Sequence, residues 1–124
     1  MRKAIVLQEA AWMSIVDFEE GLDFYYKNLD CDLIDIVRPH ALLKKSRKFK
    51  NFILIVDDEG LLKANPKVNV FASIAYGSTV CGKVMVAKEE YTDDDIITVG
   101  LTEDDIELFN DGLISILDDI KLNK

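Results

Sequence analysis

No apolar run in this chain exceeds about five residues, the length of Phe52 to Val56, and short β-branched runs alternate with stretches of helical period. A membrane-spanning helix needs about twenty apolar residues in succession. The alternation therefore excludes such a helix and points to a sheet with helices packed on it.

Ala4 to Gln8 and Met13 to Phe18 read as a hairpin around Glu9-Ala10-Ala11-Trp12, with Trp12 covering its edge. The basic start Met1-Arg2-Lys3 leads into this strand; Gln8 and Glu9 end the apolar stretch before a signal-peptide core could form. From Glu19, the spacing of Leu22, Tyr25, Tyr26 and Leu29 predicts a first helix with Asp17 as its cap. Asp32 to Val37 reads as a strand stopped by Arg38-Pro39, with His40 just beyond it. Lys44, Lys45, Arg47, Lys48 and Lys50 form a basic cluster expected on a loop or at the entrance to the strand Asn51 to Val56. Asp57-Asp58-Glu59-Gly60 predicts a turn between paired strands.

Past Pro66, the spacing of Val68, Phe71, Ala72 and Ala75 predicts a short helix ending at Gly77. Gly82 to Ala87 reads as a strand, Glu89 to Asp95 as an acidic loop, and Ile96 to Val99 as a last short strand. Thr102-Glu103-Asp104-Asp105 approaches a capping box, the sharpest boundary in the chain. Ile106, Phe109, Leu113, Ile116 and Ile120 form the buried stripe of the helix it opens, weakened at Gly112 by about 1 kcal/mol relative to alanine. The expected fold is one α+β domain over residues 1 to 124: a mixed, mainly antiparallel sheet of four to six strands, two longer helices and one short one.

Composition narrows function by exclusion. With 49% hydrophobic and 31% charged residues the chain can bury a core. Its net charge of −8 argues against direct duplex DNA binding or an anionic membrane surface as its general partner. Cys31 and Cys81 make neither a CxxC pair nor a disulfide framework, which fits a reducing cytoplasm. His40 is the only histidine, so a zinc site would need it to meet both cysteines and a carboxylate. Asp93-Asp94-Asp95 and Asp57-Asp58-Glu59 lack the spacing of a calcium loop and read as solvated turns. GxGxxG, Walker A, GxSxG and HExxH patterns are all missing, so no metal, cofactor or catalytic set is expected; a small hydrolase would have to rely on Cys81 or His40.

Two charged surfaces and one helix row are the candidate sites. Residues 89 to 119 carry twelve carboxylates and no Lys or Arg. Asp93, Asp94, Asp95, Glu103, Asp104 and Glu107 could face a basic partner in place of a nucleic-acid duplex, or simply be solvated. The basic cluster around Phe49 could hold a phosphate and stack a base, or serve solubility. Asn69, Ser73 and Tyr76 fall at i, i+4 and i+7, presenting an amide, a hydroxyl and a phenol to a ligand; alternatively Asn69 caps the helix, Ser73 bonds backward and Tyr76 packs. Arg38, His40 and Lys67 are the nearest candidate charge partners for that row.

The run Asn69-Val70-Phe71-Ala72-Ser73-Ile74-Ala75-Tyr76-Gly77, followed by Gly82, resembles a domain-of-unknown-function family of small phage and mobile-element proteins. Asp58-Glu59-Gly60-Leu61 and Gly100-Leu101-Thr102 resemble its acidic-glycine turn and the entrance to its last helix, so the likeness runs from about Asp17 onward. The segment Lys44 to Lys50 and Cys81 depart from the pattern. The resemblance implies a non-enzymatic accessory protein in a host bacterial cytoplasm that counters host defence by binding, either sequestering a small nucleotide signal or inhibiting a host nucleic-acid-binding protein. A sequestering protein would favour a homo-oligomer, since symmetric interfaces create shared pockets.

Overall fold

The computed structural model describes residues 2 to 122. Lys3–Gln8 (β1) and Trp12–Asp17 (β2) form the expected hairpin, paired from Lys3 with Asp17 to Gln8 with Trp12. Ile34–Val37 (β3), Phe52–Asp57 (β4), Val84–Tyr91 (β5) and Ile96–Val99 (β6) complete a six-stranded sheet in the order β2-β1-β5-β4-β3, with β6 paired to β5. All named strand pairs are antiparallel, and a parallel contact occurs at the isolated bridge between Ala10 and Asn69.

The helices are Leu22–Leu29 (α1), His40–Lys45 (α2), Val70–Tyr76 (α3) and Glu103–Leu122 (α4). Strand alternation sends Ile5 and Leu7 into a larger core with Leu42 of α2, Ala72 and Ala75 of α3, and Phe109 and Leu113 of α4. Ala4 and Val6 point the other way, into a smaller core with Tyr25 and Leu29 of α1. The central strands are covered on both faces, which explains why Phe52 to Ile55 and Val84 to Ala87 read as unbroken apolar runs.

Several boundaries differ from the sequence reading, each for a tertiary reason. Asp17 does not cap α1: it is held extended opposite Lys3, and Gly21, at φ 110°, precedes the helix instead. The basic cluster is not a loop. Lys44 and Lys45 end α2, and Arg47 to Phe49 form a 3-10 turn, because Leu42 and Phe49 anchor the segment in the larger core. Ser46 steadies that turn by accepting the Lys48 N–H.

After Asp57 the chain makes another 3-10 turn, Gly60–Leu62, and reaches its paired strand β5 only by way of α3. Glu89 to Tyr91 belong to β5, since pairing with β6 extends that strand beyond its apolar part. The buried stripe of α4 runs out early, leaving Ile120 48% exposed, and Trp12 is likewise open to solvent. Gly112 has a packing role: an added Cβ would stand 2.7 Å from both Leu42 Cδ2 and Phe49 Cζ, so glycine permits the close approach of α4 to α2 and the turn after it.

Candidate functional site

Asn69 is fully buried at the start of α3, with its amide used three times. Its Oδ1 accepts the Ala72 N–H at 3.0 Å, capping the helix. Its Nδ2 donates to the Leu7 carbonyl at 2.8 Å and to the Gly82 carbonyl at 2.9 Å. One side chain thus ties α3 to β1 and to the approach to β5. The Ser73 hydroxyl donates to the Asn69 carbonyl at 2.7 Å and accepts the Val80 N–H at 2.9 Å. Tyr76 is half-buried, its ring 5.5 Å from that of His40. The row is therefore the framework of α3, as its capping and back-bonding alternative required, and Asn69 and Ser73 present no free polar group to a ligand.

The basic residues expected around this row are dispersed. Arg38 lies on the sheet face covered by α1, where its Nη2 donates to Glu89 Oε2 at 2.8 Å while its buried Nη1 has no partner among the described residues. Lys67 is exposed, 3.8 Å from Glu9, and His40 is exposed at the start of α2. The cavity beside Tyr76, of about 180 Å³, is lined by Asp35, Asp57 and Asp58 and by no Lys or Arg. Its charge opposes a phosphate group.

Nothing in the same region is arranged as a nucleophile. Cys81 is buried, and among the described residues no hydrogen bond joins it to His40. Burial, with the nearby Asp57 carboxylate, raises the Cys31 thiol above its ordinary pKa, the opposite of what a reactive thiolate needs. Asp57 itself is satisfied by the Glu59 N–H and by Lys63, whose pKa it raises. No cluster of three or more His, Cys, Asp or Glu side chains that could hold a metal occurs among the described residues.

The acidic segment divides into two classes. Glu89, Glu90, Asp105 and Asp119 pair with Arg38, Arg2, Lys88 and Lys45. Asp105 also closes a reciprocal capping box: it accepts the Thr102 N–H at 3.0 Å, and its own N–H donates to Thr102 Oγ1 at 3.2 Å. Burial opposes ionisation of Asp105, yet these bonds and the Lys88 ammonium outweigh it and hold the carboxyl below its usual pKa. Its stabilising contribution is present above the unfolded-state value and is lost as pH falls through the lowered folded value. Asp93, Asp94, Asp95, Glu103, Asp104 and Glu107 differ: all six are exposed and form no ion pair among the described residues, as is also true of Asp111 and Asp118 farther along α4.

Cations show the same division. Lys44, Arg47, Lys48 and Lys50 are exposed and unpaired among the described residues, whereas Lys45 holds Asp119. Phe49 is 2% exposed and packs on Phe52, so no aromatic in the cluster can stack a base. Sequence reasoning missed three exposed apolar residues, Tyr91, Ile96 and Ile97, which flank Asp93 to Asp95 on the β5–β6 hairpin. The signal available for them was an apolar residue on each side of a triple aspartate. Comparisons of the chain with family models, curated proteins and solved structures give no match.

Proposed function

We propose that this protein is a non-enzymatic accessory protein that acts by binding a basic protein surface through its unpaired carboxylates. The observation that carries this reading is the division of the acidic segment, in which Asp93, Asp94, Asp95, Glu103, Asp104 and Glu107 form no ion pair among the described residues while Glu89, Glu90, Asp105 and Asp119 do. Exposed, unneutralised charge steers association and sets register more than it stabilises a fold. The resemblance of the Asn69 to Gly77 segment to phage and mobile-element proteins makes a host nucleic-acid-binding protein the proposed target class, with counter-defence as the role. Sequestration of a nucleotide has less support, because Asn69 and Ser73 are committed internally and Arg38 lies on the other sheet face. The same reading places the protein in the host cytoplasm; consistent with that, no described helix is long and apolar enough to cross a membrane.

The test is capture from host lysate at low and high salt, comparing the protein with a variant in which the six carboxylates become Asn or Gln. The expected result is a basic nucleic-acid-binding protein retained at low salt, released at high salt and not retained by the variant. Equal retention by the variant, or a nucleotide released from the purified protein on denaturation, would overturn the reading.

A further inference from the structure

An outermost strand with free N–H and C=O groups is a template for another strand, and natural sheets blunt such edges with charge, proline or short strands. Two edges of this sheet are blunted. β3 is four residues long and leads into Arg38-Pro39. The Asp58 N–H donates to the Leu33 carbonyl at 3.1 Å, so alternation turns the Ile36 N–H outward, where it donates to Asp35 Oδ1 at 2.8 Å. β6, also four residues long, repeats the device: the Thr92 N–H donates to the Asp95 carbonyl, which turns the Ile96 N–H outward, and it donates to Asp95 Oδ1 at 2.8 Å.

β2 is six residues long and has no such guard. The Phe18 N–H donates to the Arg2 carbonyl at 3.1 Å, so Trp12, Ser14 and Val16 turn their backbone groups to β1, whereas Met13, Ile15 and Asp17 turn theirs outward. Among the described residues no hydrogen bond meets those outward groups; Ser14 and Asp17 bond through their side chains, to Gln8 and Lys3 of the same hairpin. The edge also leaves Trp12 57% and Ile15 48% exposed.

We propose that β2 pairs antiparallel with β2 of a second copy about a two-fold axis at Ile15, joining two six-stranded sheets into one. The even spacing of the free backbone groups about Ile15 selects this occupant, because it makes the edge self-complementary. Met13 lies opposite Asp17 of the second copy and Ile15 opposite its own equivalent, so outward groups meet outward groups and each opposed pair exchanges two N–H···O bonds. A slip of one residue would set outward groups against inward ones. The side chains agree with the backbone: residues directly opposite share a sheet face, so Ile15 meets Ile15 and the exposed Trp12 meets the half-buried Phe18 of the second copy. Asp17, held by Lys3 of its own copy, brings no unpaired charge to the seam. The contact is isologous and closes at two copies. It uses none of the six carboxylates proposed to bind a host protein and does not rest on that reading.

Sedimentation velocity and the fluorescence of Trp12, the only tryptophan, test the proposal on the purified protein over a range of concentrations. The expected mass rises with concentration to twice the 14.0 kDa of one chain and stops there, while Trp12 emission moves to shorter wavelength over the same range. High salt is expected to reverse neither change, because backbone bonds and apolar pairs hold the seam. Ile15→Lys sets two ammonium groups against each other at the axis. It is expected to weaken association at least about tenfold while leaving the circular dichroism spectrum unchanged, since the position is half-exposed. Oxidation reads the register. Ile15→Cys, with Cα atoms about 5.5 Å apart across the axis, is expected to give a disulfide-linked dimer, whereas Asp17→Cys, about 13 Å from its equivalent, is expected to give no more than the unsubstituted chain. A single-chain mass at every concentration, a dimer with unchanged Trp12 emission, undiminished association of Ile15→Lys, or equal cross-linking at residues 15 and 17 would overturn it.

Discussion

The start of α3 and the tip of the β5–β6 hairpin use polar residues in opposite ways. At Asn69 every polar atom of the side chain meets a backbone group, and Ser73 repeats the pattern one turn later. At Asp93 to Asp95 the carboxylates meet no cation among the described residues and the flanking apolar side chains stand in solvent. A satisfied buried amide specifies one arrangement of the chain, because each unmade bond inside would carry a desolvation cost. An unsatisfied surface adds little to folding and is available for association. The difference teaches that the motif most distinctive in sequence serves structure, whereas the plainer acidic turn is the better candidate for recognition.

Substitution at the two regions should separate these roles. Asn69→Ala leaves the Leu7 and Gly82 carbonyls without their side-chain donor and uncaps α3. The expected loss is roughly 3 to 4 kcal/mol, read as a fall of about 12 to 15 °C in melting temperature. Retained stability in that variant would erase the contrast.

Gly112→Ala tests the packing of the larger core between them. Alanine favours the helix by about 1 kcal/mol, but its Cβ would stand 2.7 Å from the ends of the buried Leu42 and Phe49 side chains, which must shift to admit it. A net loss of about 1 to 2 kcal/mol by chemical denaturation is expected, and a gain would mean that the larger core yields more readily than its burial implies. The smallest effect belongs to the β5–β6 tip: replacing Asp93, Asp94 and Asp95 together by Asn should change unfolding free energy by less than about 0.5 kcal/mol, while retention of the basic host partner changes clearly.

Local patterns made much of the architecture legible. Strand alternation placed the first hairpin, and the Thr102 to Asp105 capping box marked the start of α4 to the residue. The Val68 to Gly77 spacing located α3 and its end at Gly77, but the helix begins at Val70, because Val68 lies outside it in a bridge to Cys81. Less legible were the segments whose conformation depends on distant neighbours. The basic cluster folded into α2 and a 3-10 turn because Phe49 reaches the core, and Asp17 joined a strand because Lys3 stands opposite it. Of the candidate site residues, the acidic six were found as a charge pattern, but which carboxylates would be neutralised by Arg2, Arg38, Lys45 and Lys88 was not readable, since each partner lies far away in sequence or on another element.

The sequence by itself determined the α+β class, the capping box at the start of α4, the uneven division of charge and the lack of known catalytic motifs, because periodicity, capping and composition act over a few residues. Only the tertiary structure decided that Asn69 joins α3 to the sheet, that Gly112 admits α2, and that the β5–β6 tip is left exposed with no ion pair among the described residues. Those outcomes depend on which surfaces meet across the fold, and burial and ion pairing are properties of that meeting rather than of any short stretch of chain.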